Sequence, residues 1–306
     1  MPWKLYCDSR KRVQGARGSS DSDFAIALPY PIAVSGKCYL DVVLLSNNFY
    51  TIRAGECDRI YLDENVAGTK RLIVLPPGQY TVTRLAEALA AALNSGRAIG
   101  GTYRVTYAVD TNRLVIDLLT PVSTDIFRIW QEEHLKANAA DWLTVVPGLT
   151  ADTLRSANRA CGFMSGSFLI SSFSPPPGST LGTAPDAPDV QPYKQLFIRS
   201  NLGSGSSQSL GVNGETDIVR RVVIGNTPQG GMIHDMHANL LDCVKIAGAP
   251  EYSQLWFQLI DVEGNVVDTH GHPLSFSVIF ETLEENKYII LNDQHRGGAH
   301  RGQLPG

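Results

Sequence analysis

The sequence lacks the patterns that mark several common classes of protein. Its five cysteines are odd in number and contain no C-x-x-C pair, which argues against a disulfide framework and a zinc cluster. No apolar run approaches the ~18 residues that cross a bilayer, and no N-x-[ST] glycosylation sequon occurs. The opening MPWKLYCDSRKR has no signal-peptide core. We therefore expect a soluble chain, made in a reducing cytosol and without a membrane span.

Motifs for catalysis and cofactor binding are also missing. The Walker pattern is absent, and GSGSSQSLG fails G-x-G-x-x-G because Gln208 stands at the third glycine position. The nearest approach to a G-x-S-x-G elbow, GFMSG, has its serine one place too late. We therefore predict no catalytic residue and no cofactor.

Two histidine pairs are the only candidates for a metal site. HDMH places two histidines three apart, and THGH places two histidines two apart, where a strand would turn both imidazoles to one face. A cupin-type site needs a carboxylate three or four residues beyond the second pair, but Ser275 and Phe276 stand there. We interpret all four as loop and turn histidines. The candidate ligands are His234, His237, His270 and His272.

Alternation of apolar and polar residues predicts many short strands. The first set covers residues 24–28, 38–52, 59–64 and 70–75, and the second set covers 195–202, 218–225, 240–246, 253–261 and 273–283. These segments are rich in Val, Ile, Leu, Tyr and Phe and are bounded by turn residues. About ten strands with few helices are typical of an all-β antiparallel sandwich.

One helix and one hairpin interrupt the strands. Residues 81–95 carry apolar side chains at helical spacing, with Thr81 or Thr83 available as the N-cap and Gly96 after the end. The segment TYRVTYAVDTNRLVIDLL predicts a hairpin that turns at Asp110–Thr111–Asn112. We expect the helix to lie across a sheet and close it.

Charge and proline divide the chain further. Net charge is -4, which argues against a surface that wraps nucleic acid as a whole, yet both ends are locally basic. We interpret the ends as an N-terminal arm over residues 1–20 and a C-terminal tail over 284–306, either solvated or docked on an acidic partner or a phosphate backbone. Residues 171–193 hold six prolines and predict a linker or surface loop.

Several residues are candidates for contacts with a partner. Trp3 is a large apolar residue within the predicted arm, and the paired arginines of IVRRVVI are unusual within a strand. The candidate assembly residues are Trp3, Arg10, Lys11, Arg12, Arg220 and Arg221.

The order of these pieces resembles that of a known family. The pieces are DSRKR (8–12), DFAIALPYPI, LLSNNFYTI (44–52), the LPPGQYTVTRLAEALAAALN helix, the hairpin, ANRACGF (157–163), KQLFIRSNLG (194–203), DIVRRVVI (217–224) and LWFQLIDVEGNVVDTHGHPLSFSVIFE. This layout resembles the penton-type minor capsid proteins of polintons, virophages and related double-stranded DNA viruses.

The resemblance implies a jelly-roll sandwich with one accessory helix and an inserted or appended second β region. It implies a sandwich built from residues 21–75 and 194–283, and a helix and hairpin region over 76–170. It also implies a homo-oligomer, expected to be a pentamer at capsid vertices, beside a major capsid protein and other shell proteins. The protein would be located in the virion, after assembly in the cytoplasm or nucleus. Such proteins supply no catalytic residues.

Two other functions stay open at this point. One is a receptor- or glycan-binding module at the base of a spike or fibre, and the other is a metal-dependent jelly-roll enzyme that uses the four candidate histidines. The sequence also leaves open whether there is one interrupted sandwich or two domains in series.

Overall fold

The computed structural model describes most of the chain. The described residues are 3–13, 20–34, 36–64, 69–98, 100–119, 125–150, 154–164, 168–173, 180–203, 211, 213–225, 227–236, 243–246 and 251–281. His237 and the predicted tail over 284–306 lie outside them. Within this part, none of the helices has the length and apolar character needed to cross a bilayer.

The described residues form sixteen strands and three α-helices. The strands are β1 (Trp3–Asp8), β2 (Asp23–Ala33), β3 (Gly36–Ser46), β4 (Arg59–Glu64), β5 (Thr69–Val74), β6 (Thr102–Ala108), β7 (Arg113–Leu119), β8 (Asp125–Ile129), β9 (Phe168–Phe173), β10 (Thr180–Thr183), β11 (Gln195–Ser200), β12 (Ile218–Val223), β13 (Met232–Asp235), β14 (Val244–Ile246), β15 (Glu251–Ile260) and β16 (Ser275–Glu281). The helices are α1 (Val82–Asn94), α2 (Glu132–Ala137) and α3 (Asn158–Cys161).

The chain divides into two compact units. We call residues 1–49 together with 193–306 the sandwich unit, and residues 50–192 the inserted unit. The inserted unit follows β3 and precedes β11 in the chain, so it interrupts the sandwich unit in sequence.

The sandwich unit contains two antiparallel sheets. One has the order β1-β16-β3-β13, with β14 also pairing with β3, and the other has the order β12-β11-β15-β2. The first strand of the unit neighbours the last, and β1, β2 and β3 alternate between the sheets, as do β14, β15 and β16. This is the strand order of a jelly roll. The prediction of an all-β jelly-roll fold is confirmed; α1 is the predicted accessory helix, and α2 and α3 are two short further helices.

The two sheets share one apolar core. Alternate side chains of β3, including Cys38 and Leu40, are buried, as the period of a strand requires. Phe276 of the first sheet contacts two aromatic rings of the second, Phe257 at 4.6 Å and Phe24 at 6.3 Å between ring centroids. These edge-to-face and tilted contacts hold the two sheets together.

The pairing of β16 with β3 shows that there is one interrupted sandwich. Phe280 lies opposite Cys38, and Ile279 lies opposite Tyr39. A strand from the end of the described chain therefore pairs with one from its beginning, across the whole inserted unit. Two β domains in series would not share this pairing.

The inserted unit has its own sheets and its own core. Their orders are β5-β4-β8-β9 and β10-β7-β6, and α1 buries its apolar side chains in the core that both sheets line. Thr81 caps α1 by accepting a hydrogen bond from the backbone N of Arg84 at 3.3 Å. The predicted hairpin is present as β6 and β7, with Asn112 at a positive φ of 54° in the turn.

A buried acid joins four elements of the inserted unit. Glu64 of β4 accepts hydrogen bonds from the Tyr103 hydroxyl at 2.6 Å and from the backbone N of Ala98 at 2.8 Å. It also forms an ion pair with Arg71 of β5 at 3.2 Å, and Arg71 donates to the Leu93 carbonyl of α1 at 2.6 Å. Because Glu64 is fully buried, these bonds offset the cost of removing its charge from water.

Three boundaries differ from those expected. β4 and β5 lie in the inserted unit, so the sandwich does not run continuously to residue 75 as expected. The alternation of apolar residues predicts that a segment is a strand, but it does not predict which strand it pairs with. The proline-rich stretch 171–193 contains β10, which pairs with β7, and the fully buried Ala184. The predicted arm over residues 1–20 begins with β1, an edge strand of the sandwich.

Candidate assembly surface

The exposed face of β1 carries a large aromatic side chain. Tyr6 is 78% exposed, whereas Cys7 is buried and Leu5 packs against the core. The strand therefore follows period two, with Lys4 and Tyr6 on the outer face. At this exposure, most of the Tyr6 ring is available for contact with another molecule.

Neighbouring strands continue this face with apolar side chains. Leu44 of β3 is 37% exposed, and it lies opposite Ser275 of β16 and His234 of β13. Met232 of β13 is 60% exposed. We call the outer face that carries Tyr6, Leu44 and Met232 the assembly surface.

A groove of about 390 Å³ runs along the assembly surface. The residues that line it include Lys4, Tyr6, Val42, Leu44, Phe276 and Ser277. The charge of Lys4 is balanced inside the unit, because its Nζ lies 2.7 Å from Asp41 and 5.3 Å from the centroid of the Tyr6 ring. The groove thus presents mainly apolar contacts, which are typical of a surface that binds another protein.

The residues after β1 are held against β16 by hydrogen bonds. Asp8 accepts from the backbone N and from Nε of Arg10, each at 2.9 Å, and from the Ser275 hydroxyl at 2.9 Å. The hydrogen bond from the Arg10 guanidinium is the main reason that the pKa of Asp8 is held well below its usual range.

A second set of bonds fixes the following turn. The Ser9 hydroxyl donates to Asp21 at 2.8 Å and accepts from the backbone N of Leu274 at 3.1 Å, and Ser9 is fully buried. Arg12 forms an ion pair with Asp21 at 2.8 Å. Residues 3–12 are therefore a docked part of the sandwich unit and not a free arm. Lys11 is exposed, and the side chain of Trp3 lies outside the described part.

The paired arginines of β12 have different surroundings. Arg220 is buried and forms an ion pair with Asp235 of β13 at 2.8 Å, which links the two sheets of the sandwich. Arg221 is exposed. The position of Arg220 makes it an internal residue, so of this pair only Arg221 stays a candidate for contact with a neighbour.

The described histidines lie in two places. His234 is exposed on β13, whereas His270 and His272 lie in the turn before β16. The Nδ1 atom of His270 is 3.2 Å from Asp268, and Nε2 of His272 is 2.6 Å from the side-chain amide of Asn48. Over the described ranges, no group of three or more His, Cys, Asp or Glu side chains is placed to hold a metal ion.

Three cysteines are buried thiols. Burial raises the pKa of Cys7, Cys38 and Cys161 to about 12 in each case. Because the thiolate is the nucleophile, these side chains are unreactive at neutral pH and act as small apolar residues.

The fold is similar to that of a solved protein structure. The chain is similar to the crystal structure of mavirus penton protein, with a TM-score of 0.50 and 10% sequence identity, over 92% of this chain and 100% of that one. No protein-family model matches the sequence, and no curated protein matches it. At this identity the likeness shows the fold, and it confirms at that level the resemblance predicted from the order of strands.

Proposed function

We propose that this chain is a structural capsid protein of a DNA virus, a penton-like minor capsid subunit that acts by self-assembly at capsid vertices. The observation that carries the proposal is the jelly-roll strand order, interrupted by a second β unit, which is similar to a penton protein over 92% of this chain. The unreactive buried thiols are consistent with a structural role.

The proposed assembly is a homopentamer located in the virion. Its other partners would be a major capsid protein and further shell proteins. Next to β1, Arg10 and Arg12 are ion-paired with Asp8 and Asp21, so the exposed Lys11 is the cation of this segment that would contact a neighbouring subunit or the genome. Synthesis in the host cytosol, with assembly in the cytoplasm or nucleus, belongs to the same proposal.

The assembly surface supplies a contact between copies. An exposed tyrosine on a rigid sheet loses little conformational freedom on binding, and together with Met232 it would bury a large apolar area. Stable interfaces bury about 800 Å² on each partner, so the groove beside Tyr6 would form the apolar centre of a larger contact.

Light scattering on the purified full chain tests this proposal. We expect wild-type particles of five times the chain mass of 33.3 kDa. Tyr6→Glu places a charge at the centre of the proposed contact and should shift the population to monomers. The matched control is Tyr30→Glu, because Tyr30 is 68% exposed on β2 of the other sheet, and this variant should assemble as the wild type does.

Two results would contradict the proposal. A wild-type chain that stays monomeric at high micromolar concentration would remove self-assembly. If Tyr6→Glu and Tyr30→Glu assembled equally well, the contact would lie on another surface.

A further inference from the structure

The first strand of the sandwich unit has one edge that can accept a further strand. β1 pairs with β16 on one side, and no strand of the described part of the chain pairs with its other side. The backbone N–H and C=O groups along such an edge are a template for pairing with another segment. The groove of the assembly surface follows the same strand from Lys4 through Tyr6 to Asp8. Backbone and apolar contacts are therefore available at one place.

The sequence after β16 contains one apolar run. Within residues 284–306, residues 287–291 read KYIIL, and the other apolar residues of that segment stand singly. Tyrosine and isoleucine favour strands, and the run contains neither glycine nor proline. It has five residues, which is the number from Lys4 to Asp8 along the groove. The run thus matches the open edge of β1 in length and in strand propensity.

Charge favours one direction for an added strand. An antiparallel strand along the groove places Lys287 beside Asp8, whereas a parallel strand places it beside Lys4. Like charges directly opposite each other are destabilising, so the antiparallel direction is preferred. Within their own unit, Lys4 is paired with Asp41 and Asp8 with Arg10. The charges therefore set the direction, and apolar contacts supply most of the affinity.

A chain's own tail is too short to bind in this way. Lys287 would lie beside Asp8, and Asp8 pairs with Ser275, which stands six residues before Glu281 in β16. From Glu281 this point is about 20 Å back along the strand and about 10 Å across two strand spacings, or about 22 Å in a straight line. The six residues from Glu281 to Lys287 span at most about 22 Å. No length remains for the two turns, whereas the tail of another copy has no such limit.

We propose that the groove beside Tyr6 receives residues 287–291 from the tail of a neighbouring copy, which add to β1 as an antiparallel strand. In this register Ile289 lies opposite Tyr6 on the outer face, and the two side chains form the apolar centre of the contact. The inference rests on the proposed self-assembly, and it names the segment that fills the assembly surface.

A synthetic peptide tests the contact directly. The peptide covers residues 285–294 and carries a fluorescent label, and its partner is the full chain with Ile289→Asp, whose own tails no longer compete. Fluorescence anisotropy should show saturable binding. Binding should be about 10-fold weaker or more for a peptide with Ile289→Asp, and for a chain that also carries Tyr6→Glu, because each change places a charge in an apolar contact.

Hydrogen exchange identifies the strand that the peptide joins. The bound peptide should slow exchange in β1, since the open edge of β1 gains partners. β2 is an edge strand of the other sheet, so its exchange should be unchanged and serves as the control.

A mixture of two variants tests whether tails bind in neighbouring copies. Full-length Ile289→Asp should be monomeric by light scattering, as Tyr6→Glu is expected to be. An equimolar mixture of the two should form dimers of twice the chain mass of 33.3 kDa, because one chain supplies an intact tail run and the other an intact groove. Leu304→Asp makes the same kind of change outside the run, so this control should assemble as the wild type does.

Three results would overturn the inference. They are no saturable binding of the peptide, equal binding of the Ile289→Asp peptide, and a mixture of the two variants that stays monomeric. If Ile289→Asp assembled normally while Tyr6→Glu did not, the role of the tail would be wrong and the proposed self-assembly would stand. If the wild type were monomeric, self-assembly would be wrong, and the peptide titration would decide alone whether the groove binds the run.

Discussion

The sandwich unit and the inserted unit are both built from antiparallel sheets, but their centres differ. In the sandwich unit, Phe24, Phe257 and Phe276 join the two sheets through direct ring contacts. In the inserted unit, the buried Glu64 accepts hydrogen bonds from Tyr103 of β6 and from the backbone N of Ala98, after α1. It also forms an ion pair with Arg71 of β5. The ring contacts depend on shape and apolar area, whereas the Glu64 network adds buried polar partners to a unit whose core is otherwise apolar.

This difference predicts how each unit responds to change. Apolar packing loses stability in proportion to the volume removed. A buried polar network fails when one partner is lost, because the remaining charge has no water to replace it. The following substitutions test the comparison, beginning with the largest expected effect.

Phe257→Ala should have the largest effect, and it should act on the sandwich unit. Phe257 is fully buried and packs against two other rings, so we expect a loss of about 3–5 kcal/mol in the free energy of unfolding. Urea unfolding gives the loss, and hydrogen exchange shows whether it is confined to residues 1–49 and 193–281. The exposed Tyr30→Ala is the control, with a change below about 0.5 kcal/mol. A small loss for Phe257→Ala would contradict the account of the core.

Arg71→Met should destabilise the inserted unit by about 3 kcal/mol. This is the lower end of the range for breaking a buried ion pair, because Glu64 keeps its bonds to Tyr103 and Ala98. Hydrogen exchange should show faster exchange in β4, β5 and β6 and unchanged exchange in β16. A second change, Glu64→Gln, should recover part of the loss, since it removes the uncompensated charge. If the double variant were less stable than Arg71→Met, the charge would not be the cause.

Thr81→Ala should cost about 1 kcal/mol, because it removes the oxygen that caps α1. Thr83 is the second residue of the same helix and is exposed. Thr83→Ala is therefore the matched control and should be neutral or slightly stabilising. Thermal unfolding of the two variants distinguishes the residues. Equal losses would mean that the helix begins elsewhere.

Asp8→Asn should have the smallest effect and should depend on pH. The folded-state pKa of Asp8 is lowered, mainly by the hydrogen bond from Arg10. The ionised Asp8 therefore adds to the free energy of unfolding above the unfolded pKa of about 3.9, and this stabilisation is lost as pH falls through the folded pKa. The ion pair between Arg10 and Asp8 is partly exposed, so Asp8→Asn should lower the free energy of unfolding by about 1 kcal/mol or less at pH 7. This loss should become smaller toward pH 3. Asp110→Asn, in the exposed turn between β6 and β7, is the control for the Asp-to-Asn change itself. A difference that grew at low pH would contradict the assignment.

Local patterns in the sequence predicted local structure well. The apolar residues of α1 fall at helical spacing, and four of them, Leu85, Ala86, Leu89 and Leu93, are buried. Asn112 tolerates the positive φ that its turn requires, so the hairpin could be recognised from a few residues. In β11, Leu196, Ile198 and Ser200 are buried in alternation with partly buried residues, as period two requires.

Pairings between distant segments could not be predicted in this way. Leu5 and Cys7 alternate with Lys4 and Tyr6, which is the pattern of a strand. These residues were nevertheless assigned to the arm, because the residues that follow them are basic. The Arg220–Asp235 pair needs two strands from different sheets, and nothing local in IVRRVVI indicates that one arginine is buried. Burial of this kind is set by the fold as a whole.

Electron cryomicroscopy of the purified wild-type oligomer tests the central claim most directly. The account predicts a closed five-fold ring in which Tyr6 and Leu44 of each copy are covered by its neighbour. A ring in which both side chains face solvent, or particles without closed symmetry, would contradict it.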